Sequence, residues 1–299
     1  MAPRRLRKCD PEFVMKNANA AQMSLFELEK LENPRLSDRD AVRAICDRLL
    51  AESGVTEPVN VELLASMRGI SRITEAVQGP AGMLVHHNGQ MSAHIRASDS
   101  RPRKRFTILH EAGHTLLPGY VDSAHFRCAG PRTREEQLCD HAASELLLPR
   151  STFTAALLQT GFGTEATERL AAAYDASIEA TALRSIELWP DDALLLVLRL
   201  GHKPIEAGRE HEVEPKLRLA WSYSKGNWPF MPRHKSVAPS TPFGRALAGE
   251  LIDEAGSLGE LATADSGPLW IAARRYGAGD RVLAMISRHS TLPIRARRR

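Results

Sequence analysis

The chain contains two histidines and a glutamate at a spacing that can bind and use a metal ion. His110-Glu111-Ala112-Gly113-His114 places two imidazoles four residues apart. On a helix such residues share a face, with Cβ atoms about 5–6 Å apart, so both rings can reach one zinc ion. Glu111 follows the first histidine by one residue, so its carboxylate projects beside the metal. A general base must lie there to take a proton from water.

The alternative is a buried helix that carries two histidines without a metal. The flanking side chains are mostly apolar and predict a buried helix over residues 105–117. Buried imidazoles need partners, and a metal ion is one. Gly113 costs a helix about 1 kcal/mol relative to Ala. It indicates either a close approach by another element or simple tolerance.

A third ligand is required, because a catalytic zinc has three protein ligands and one open position. A second predicted helix, over residues 135–148, supplies the candidates. Glu136 and Asp140 share a face, so Glu136 can complete the site while Asp140 accepts a hydrogen bond from a ligand histidine. Glu135 and His141 compete for the third position, although His141 lies about 140° round the helix from Glu136. In the alternative interpretation, the charged start of this helix is only a solvated first turn.

These motifs together resemble the ImmA/IrrE family of intracellular zinc metallopeptidases. That family has an RFTxxHExxH helix, then a helix with ExxxN or ExxxD that ends in an LLMP-like stop. The corresponding segments here are residues 105–114 and 136–149, and the resemblance covers roughly residues 40–190. Leu148 stands where the family commonly has Met.

The resemblance implies specific roles for five residues. His110, His114 and Glu136 would be ligands of Zn²⁺, and Glu111 would be the catalytic base. Asp140 replaces the more usual Asn and matches the ExxxD form of thermolysin-like peptidases. The implied substrate is a cytoplasmic regulatory protein, such as a transcriptional repressor. Its cleavage would switch on a stress, phage or mobile-element response.

The fold class predicted for the chain is α+β, with a zincin-like metallopeptidase domain followed by a smaller, mainly antiparallel α+β domain. Residues 1–35 are predicted to be a basic, flexible tail, and residues 36–190 the peptidase domain with trailing helices. Residues 191–290 form the second domain, a candidate sensor or partner-binding module, and residues 291–299 a basic tail.

Periodicity and turn signals predict the individual elements. Asn88-Gly89 is a strong hairpin signal. Residues 164–174 and 177–188 are interpreted either as helices that pack on the catalytic core or as a helix-turn-helix-like pair. Helices are predicted around residues 12–31, from Asp38 onward, and at 61–67, 151–159, 164–174, 177–188 and 243–255; strands at 70–77, 83–87, 91–95, 193–200, 216–224, 269–276 and 281–287.

Composition bounds the class of protein. The chain has 299 residues, of which 43% are hydrophobic and 25% charged, with four cysteines and a net charge of +4. No apolar run reaches the roughly 18 residues of a membrane span, and the start lacks a secretory signal, so a cytoplasmic location is expected. The cysteines form no CxxC pair, which argues against disulfides and zinc fingers. Cys139 is interpreted as a small buried residue, with a redox-sensing or metal-competing thiol as the alternative.

Basic residues cluster near both ends of the chain and at residues 101–105. Such clusters can contact phosphates, so a nucleic-acid partner is an alternative to simple solvation. No membrane partner is expected.

Three functional hypotheses follow. The first is a zinc endopeptidase, in which Tyr120, His125 and His141 are candidates to stabilise the oxyanion. The second is a non-catalytic regulator that uses a zincin fold to bind a partner or DNA. The third is a component of a toxin–antitoxin or mobile-element system. The presence of Glu111 favours the enzyme, because a purely structural metal site has no use for a base.

Overall fold

The computed structural model describes residues 23–54, 56–87, 89–119, 125–126, 133–264 and 267–288. The chain divides into two compact units, Met1–Pro149 and Arg150–Arg299. Each unit combines helices with its own sheet, so the predicted α+β fold class is confirmed.

The division after Pro149 places the three helices that follow it in the second unit. The sequence places those helices in the predicted peptidase domain. The limits 36–190 and 191–290 stay predictions, as do the two tails.

The first unit has the predicted succession of helices, hairpin and helices. The part of residues 12–31 that precedes residue 23 lies outside the described residues. In chain order the elements are α1 (Leu25–Glu32), α2 (Asp38–Ser53), α3 (Val61–Met67), β1 (Ile70–Ala76), β2 (Gly82–His87), β3 (Gln90–Arg96), α4 (Arg101–His114), β4 (His125–Phe126) and α5 (Arg134–Leu147).

The sheet of the first unit has the strand order β1-β3-β2-β4. β2 and β3 form the predicted antiparallel hairpin, with register from Gly82↔Ile95 to His87↔Gln90. Gly89 in the turn has φ 74°, a left-handed conformation that glycine adopts without a steric penalty. β1 runs parallel to β3, and β4 pairs antiparallel with the start of β2.

Helix α4, which carries the two histidines, is buried over its second half. Pro102 lies in its first turn, and every residue from Thr107 to His114 is buried. The prediction that it continues to residue 117 is wrong. The amides of Thr115, Leu116 and Leu117 donate to carbonyls three residues earlier, so the helix tightens and ends after His114.

α5 has clear signals at both ends. The Thr133 side chain accepts a hydrogen bond of 3.2 Å from the Glu136 amide, as an N-cap residue does. The helix stops at Leu147, two residues before Pro149, which cannot continue it.

The second unit starts with three helices and continues with an antiparallel sheet of order β6-β5-β9-β8-β7. Two short 3₁₀ turns, Pro204–Glu206 and Gly259–Leu261, lie in its connections. Its elements are α6 (Arg150–Thr160), α7 (Thr164–Tyr174), α8 (Ile178–Leu188), β5 (Ala193–Gly201), β6 (Lys216–Lys225), α9 (Pro242–Leu247), β7 (Ile252–Gly256), β8 (Leu269–Tyr276) and β9 (Arg281–Ser287).

Strand alternation gives this sheet two apolar faces. On one face Leu194, Leu196 and Leu198 of β5 pack in a buried cluster with Phe243 of α9. On the other face α7 contacts β8 and β9, and α8 contacts β5 and β6. The sheet is therefore covered on both sides within its own unit.

The prediction of one helix over residues 243–255 is wrong. Helix α9 ends at Leu247, and Gly249 has φ 103°, outside the helical region. Residues from Ile252 to Gly256 then pair with β8 as an edge strand. The apolar residues in this stretch serve first a helix and then a strand, which helical periodicity alone does not separate.

Among the described residues, no helix is long and apolar enough to cross a membrane.

Candidate metal centre

Two histidine rings and one carboxylate meet where α4 and α5 pack together. His110 Nε2 lies 3.3 Å from Glu136 Oε2, and His114 Nε2 lies 3.6 Å from Glu136 Oε1. One ligand atom from each of the three residues lies within 4.8 Å of the other two. Both rings are buried and Glu136 is partly exposed, so one side of the group remains accessible.

The helices bring these groups together through close packing. His110 and His114 share one face of α4, with ring centroids 5.2 Å apart. Gly113 faces α5, where an added Cβ would lie 3.1 Å from the Cys139 Cα. Of the two interpretations of Gly113, the close approach of another element is the one observed, because a larger side chain would push α5 away from the histidines.

Each histidine is held from behind by a second carboxylate. His110 Nδ1 lies 2.9 Å from Asp140 Oδ1, and His114 Nδ1 lies 3.2 Å from Glu135 Oε1. A carboxylate only accepts, so each Nδ1 carries the proton and donates it. In that tautomer Nε2 presents its lone pair towards Glu136.

This arrangement fits a divalent metal ion. Two imidazole lone pairs and a carboxylate oxygen face one another, and such acceptors attract a cation between them. Two nitrogens and one oxygen are a donor set that zinc accepts, and three ligands leave a position open. His110, His114 and Glu136 are therefore the residues that would hold it.

The electrostatics of the cluster agree with this fit. Contact with His110 comes first and the proximity of His114 adds to it, and together the two imidazoles lower the pKa of Glu136 in spite of partial burial. Glu136 is thus ionised at neutral pH, as a ligand must be. Burial, followed by the nearby carboxylates of Glu135, Glu136, Glu111 and Asp140, raises the pKa of the Cys139 thiol. Cys139 is a buried, neutral thiol, in line with the first interpretation of this residue.

Glu111 is fully buried beside the histidines. Its carboxylate packs against the backbone at the start of β2, because a Cβ added to Gly82 would overlap Glu111 Oε1 and lie 2.5 Å from Thr107 Cγ2. Gly82 therefore leaves the space that the Glu111 carboxylate occupies.

Sequence reasoning missed Gly82 and left Glu135 and His141 open as alternatives to Glu136. A glycine at the start of a strand gives no signal of which helix face it meets. Glu135, considered as a third ligand, instead contacts the outer nitrogen of His114. The His141 ring contacts Arg39 of α2, with its Nε2 3.1 Å from the Arg39 carbonyl oxygen, and does not join the metal group.

The three oxyanion candidates remain without support. Tyr120 lies outside the described residues, and only the backbone of His125 is described. His141 is engaged on the far side of α5 by Arg39.

Three basic residues of the cluster at residues 101–105 have partners within the first unit. Lys104 pairs with Glu75 at 2.8 Å, and Arg103 pairs with Asp99 at 3.3 Å. Arg105 is buried and donates to the Val59 carbonyl oxygen at 2.9 Å. These contacts favour a structural role for the cluster over phosphate binding. The two terminal clusters lie outside the described residues.

The helix-turn-helix-like pair is α7 and α8, and the start of α8 is tied to its own sheet. The Glu179 carboxylate accepts hydrogen bonds from Tyr276 (2.8 Å) and Arg281 (3.2 Å). A recognition helix needs free side chains at this end to reach base edges. The pair thus packs as ordinary helices, on the sheet of the second unit.

Comparison with known proteins agrees with the two motifs. Residues 69–185 match the family model Peptidase_M78, described as the IrrE N-terminal-like domain. This segment is less than half of the chain and contains every residue of the metal group. The resemblance to the ImmA/IrrE family is confirmed for this segment, which is similar to a metallopeptidase-like domain.

A solved structure titled "Mycobacterium tuberculosis transcriptional regulator" has a similar fold. Its TM-score is 0.55 at 12% identity, over 89% of this chain and 82% of that chain. At this identity the similarity concerns the fold alone. No curated protein matches the sequence.

Proposed function

We propose that this chain is a zinc-dependent intracellular endopeptidase that cleaves a regulatory protein, such as a transcriptional repressor, in the cytoplasm. The observation that carries the proposal is the convergence of His110, His114 and Glu136, with donor atoms within 4.8 Å of one another, next to the buried carboxylate of Glu111. The match of residues 69–185 to an IrrE N-terminal-like domain supports it.

His110, His114 and Glu136 would hold the metal, whose contribution is Lewis acidity towards water and a peptide carbonyl. Glu111 takes the proton from the attacking water and passes it to the leaving amine, as a general base and then a general acid. Asp140 and Glu135 keep the two rings in the correct tautomer and orientation. Gly82 gives the Glu111 carboxylate its position.

The sheet of the first unit offers a place for the substrate. β4 is one of its two edge strands and lies next to β2. An extended peptide can add to such an edge through main-chain hydrogen bonds. The proposed substrate is therefore a protein with an exposed, extended segment.

The test uses two variants of the full chain. Glu111→Gln keeps the shape of the side chain and removes the base, so it should retain zinc and lose cleavage by about 10²–10⁴-fold. His114→Ala should lose both zinc and cleavage. New protein N-termini that appear in cells with the wild-type chain, and not with Glu111→Gln, would identify the substrate.

If the Glu111→Gln variant keeps its full biological activity, the proposal that the chain is an enzyme is contradicted. The chain would then act as a non-catalytic regulator that binds a partner or DNA, with a zinc of structural function. A neighbouring gene whose product neutralises the chain would instead favour the toxin–antitoxin interpretation.

A further inference from the structure

A basic cleft lies in the second unit, at the end of β5 and the start of β6, and none of the described residues that line it is assigned to the peptidase site. Its volume is about 390 Å³, and its lining includes Arg199, Arg218, Arg233, His202 and His234. Among the described residues that line it, none is acidic. This size is within the usual range for pockets that hold small molecules, about 300–1,000 Å³.

The cleft rests on a row of arginines across three adjacent strands. Arg199 of β5 stands directly opposite Arg218 of β6 and Arg281 of β9. Residues opposite one another in antiparallel strands share a face, and like charges there are destabilising. A sheet that carries such a row needs anions nearby.

Each arginine of this row has a carboxylate partner in the same unit, and Arg281 pairs with Glu179 at 3.2 Å. Arg218 is buried, pairs with Glu206 at 3.3 Å, and donates to the carbonyl oxygens of Gly201 (3.1 Å) and His234 (3.3 Å). Arg199 pairs with Asp280 at 3.2 Å, and its side chain is largely exposed. Arg218 thus builds the floor of the cleft and fixes the turn at residue 234 above it.

That turn presents two further basic groups to the cleft. Arg233 Nε donates to the Ala220 carbonyl oxygen at 2.9 Å, which fixes the guanidinium. Arg233 forms no ion pair with any residue that the structure describes. One edge of its fork is therefore used by the protein, and the other edge remains for a ligand.

His234 occupies a position that favours glycine. Its φ is 64°, in the left-handed region, within the turn closed by Lys235 N and the Pro232 carbonyl oxygen at 3.4 Å. A side chain there costs backbone energy, and such strain is concentrated at ligand sites. Within the described part of the chain, the His234 ring makes no hydrogen bond. The imidazole is thus held over the cleft at a cost to the backbone.

We propose that this cleft binds a small molecule through a phosphoryl group. Arg233 offers the planar pair of donors that matches phosphate oxygens, His234 adds a ring donor, and Arg218 supplies buried positive charge beneath them. The site is independent of the metal group, and its failure would leave the peptidase proposal unaffected.

The experiment measures binding of inorganic pyrophosphate to the full chain by calorimetry at low ionic strength. The wild type should bind it saturably, with one site per chain. Arg233→Gln should weaken binding by about tenfold or more, the effect expected when one charge-assisted pair of hydrogen bonds is lost. His234→Gly should also weaken binding, while the melting temperature stays the same or rises because glycine relieves the left-handed strain.

Lys235→Gln is the matched control, because it removes one positive charge from the same turn without changing the lining of the cleft. It should bind pyrophosphate like the wild type. The proposal is overturned if the wild type shows no saturable binding, or if Lys235→Gln weakens binding as much as Arg233→Gln. A DNA duplex that binds more tightly than pyrophosphate, in a manner dependent on Arg233, would assign the cleft to nucleic acid and also overturn it.

Discussion

The carboxylates of two helix pairs in this chain have opposite kinds of partner. Between α4 and α5, the carboxylates of Glu135, Glu136 and Asp140 surround two buried histidines. Between α7, α8 and their sheet, each carboxylate meets a cation of the same unit: Glu168 pairs with Arg274, and Glu179 with Arg281.

The difference lies in whether the chain supplies its own counter-charge. At Glu179, Tyr276 and Arg281 both donate to the carboxylate, and burial raises the pKa of Tyr276 so that it keeps its proton. In the metal group, the three atoms that converge are all acceptors in the tautomer set by the outer carboxylates. The first arrangement stabilises a fold, and the second is the one that fits a bound cation.

The largest expected effect is the loss of zinc affinity when Glu136, which faces both imidazoles, is replaced. Glu136→Ala should weaken zinc binding by more than about 100-fold, beyond the range of a residue that only orients a ligand. Glu135→Ala and His141→Ala are the matched comparisons and should bind zinc more tightly than Glu136→Ala. Equal zinc affinities of the three variants, measured by competition with a chelator, would mean that the third ligand is misassigned.

The next effect concerns the space beside the base. Gly82→Ala should displace the Glu111 carboxylate and lower cleavage of the identified substrate by about 100-fold, while zinc content stays the same. Gly201→Ala is the control, since a Cβ there would meet nothing within 4 Å. If Gly82→Ala cleaves as fast as Gly201→Ala, the packing of Gly82 against Glu111 has no part in catalysis.

A smaller loss of zinc affinity is expected when the carboxylates that accept from the histidine Nδ1 atoms are replaced. Asp140→Ala and Glu135→Ala should each lower zinc affinity by about 10–100-fold, because the imidazoles lose the acceptor that fixes their tautomer. Asp140→Asn keeps an acceptor oxygen and should recover most of the loss. An Asp140→Asn protein as weak as Asp140→Ala would show that the charge matters, and not the hydrogen bond to His110.

The smallest effect is expected at Glu179, whose partners all belong to its own unit. Tyr276→Phe removes one hydrogen bond to Glu179 and should destabilise the protein by about 1–2 kcal/mol, measured by denaturant unfolding. Zinc content should not change. A loss of zinc in this variant would contradict the separation drawn between the two helix pairs.

The sequence predicts the parts of this molecule that depend on short-range patterns. Local patterns predict that His110 and His114 share a helix face, that Asn-Gly marks a hairpin, and that strands lie at 269–276 and 281–287. The structure has each of these features. The choice of Glu136 over Glu135 required the resemblance to a family, because both lie in the first turn of α5.

The features that the sequence did not predict depend on long-range packing. Gly82 is important only because β2 begins against α4, and the arginine row exists only because β6, β5 and β9 pair in one register. The helix predicted over residues 243–255 was wrong because pairing with β8 takes over after Gly249. Such choices are made by tertiary contacts, which a single sequence does not reveal.

The most direct test of the account is the metal content of the full chain, isolated without chelators and without added metal. Elemental analysis should find about one zinc per chain in the wild type and in Glu111→Gln, and almost none in His110→Ala or His114→Ala. A wild-type protein that is folded yet contains no zinc, and binds none when it is supplied, would contradict the claim that His110, His114 and Glu136 hold a metal ion.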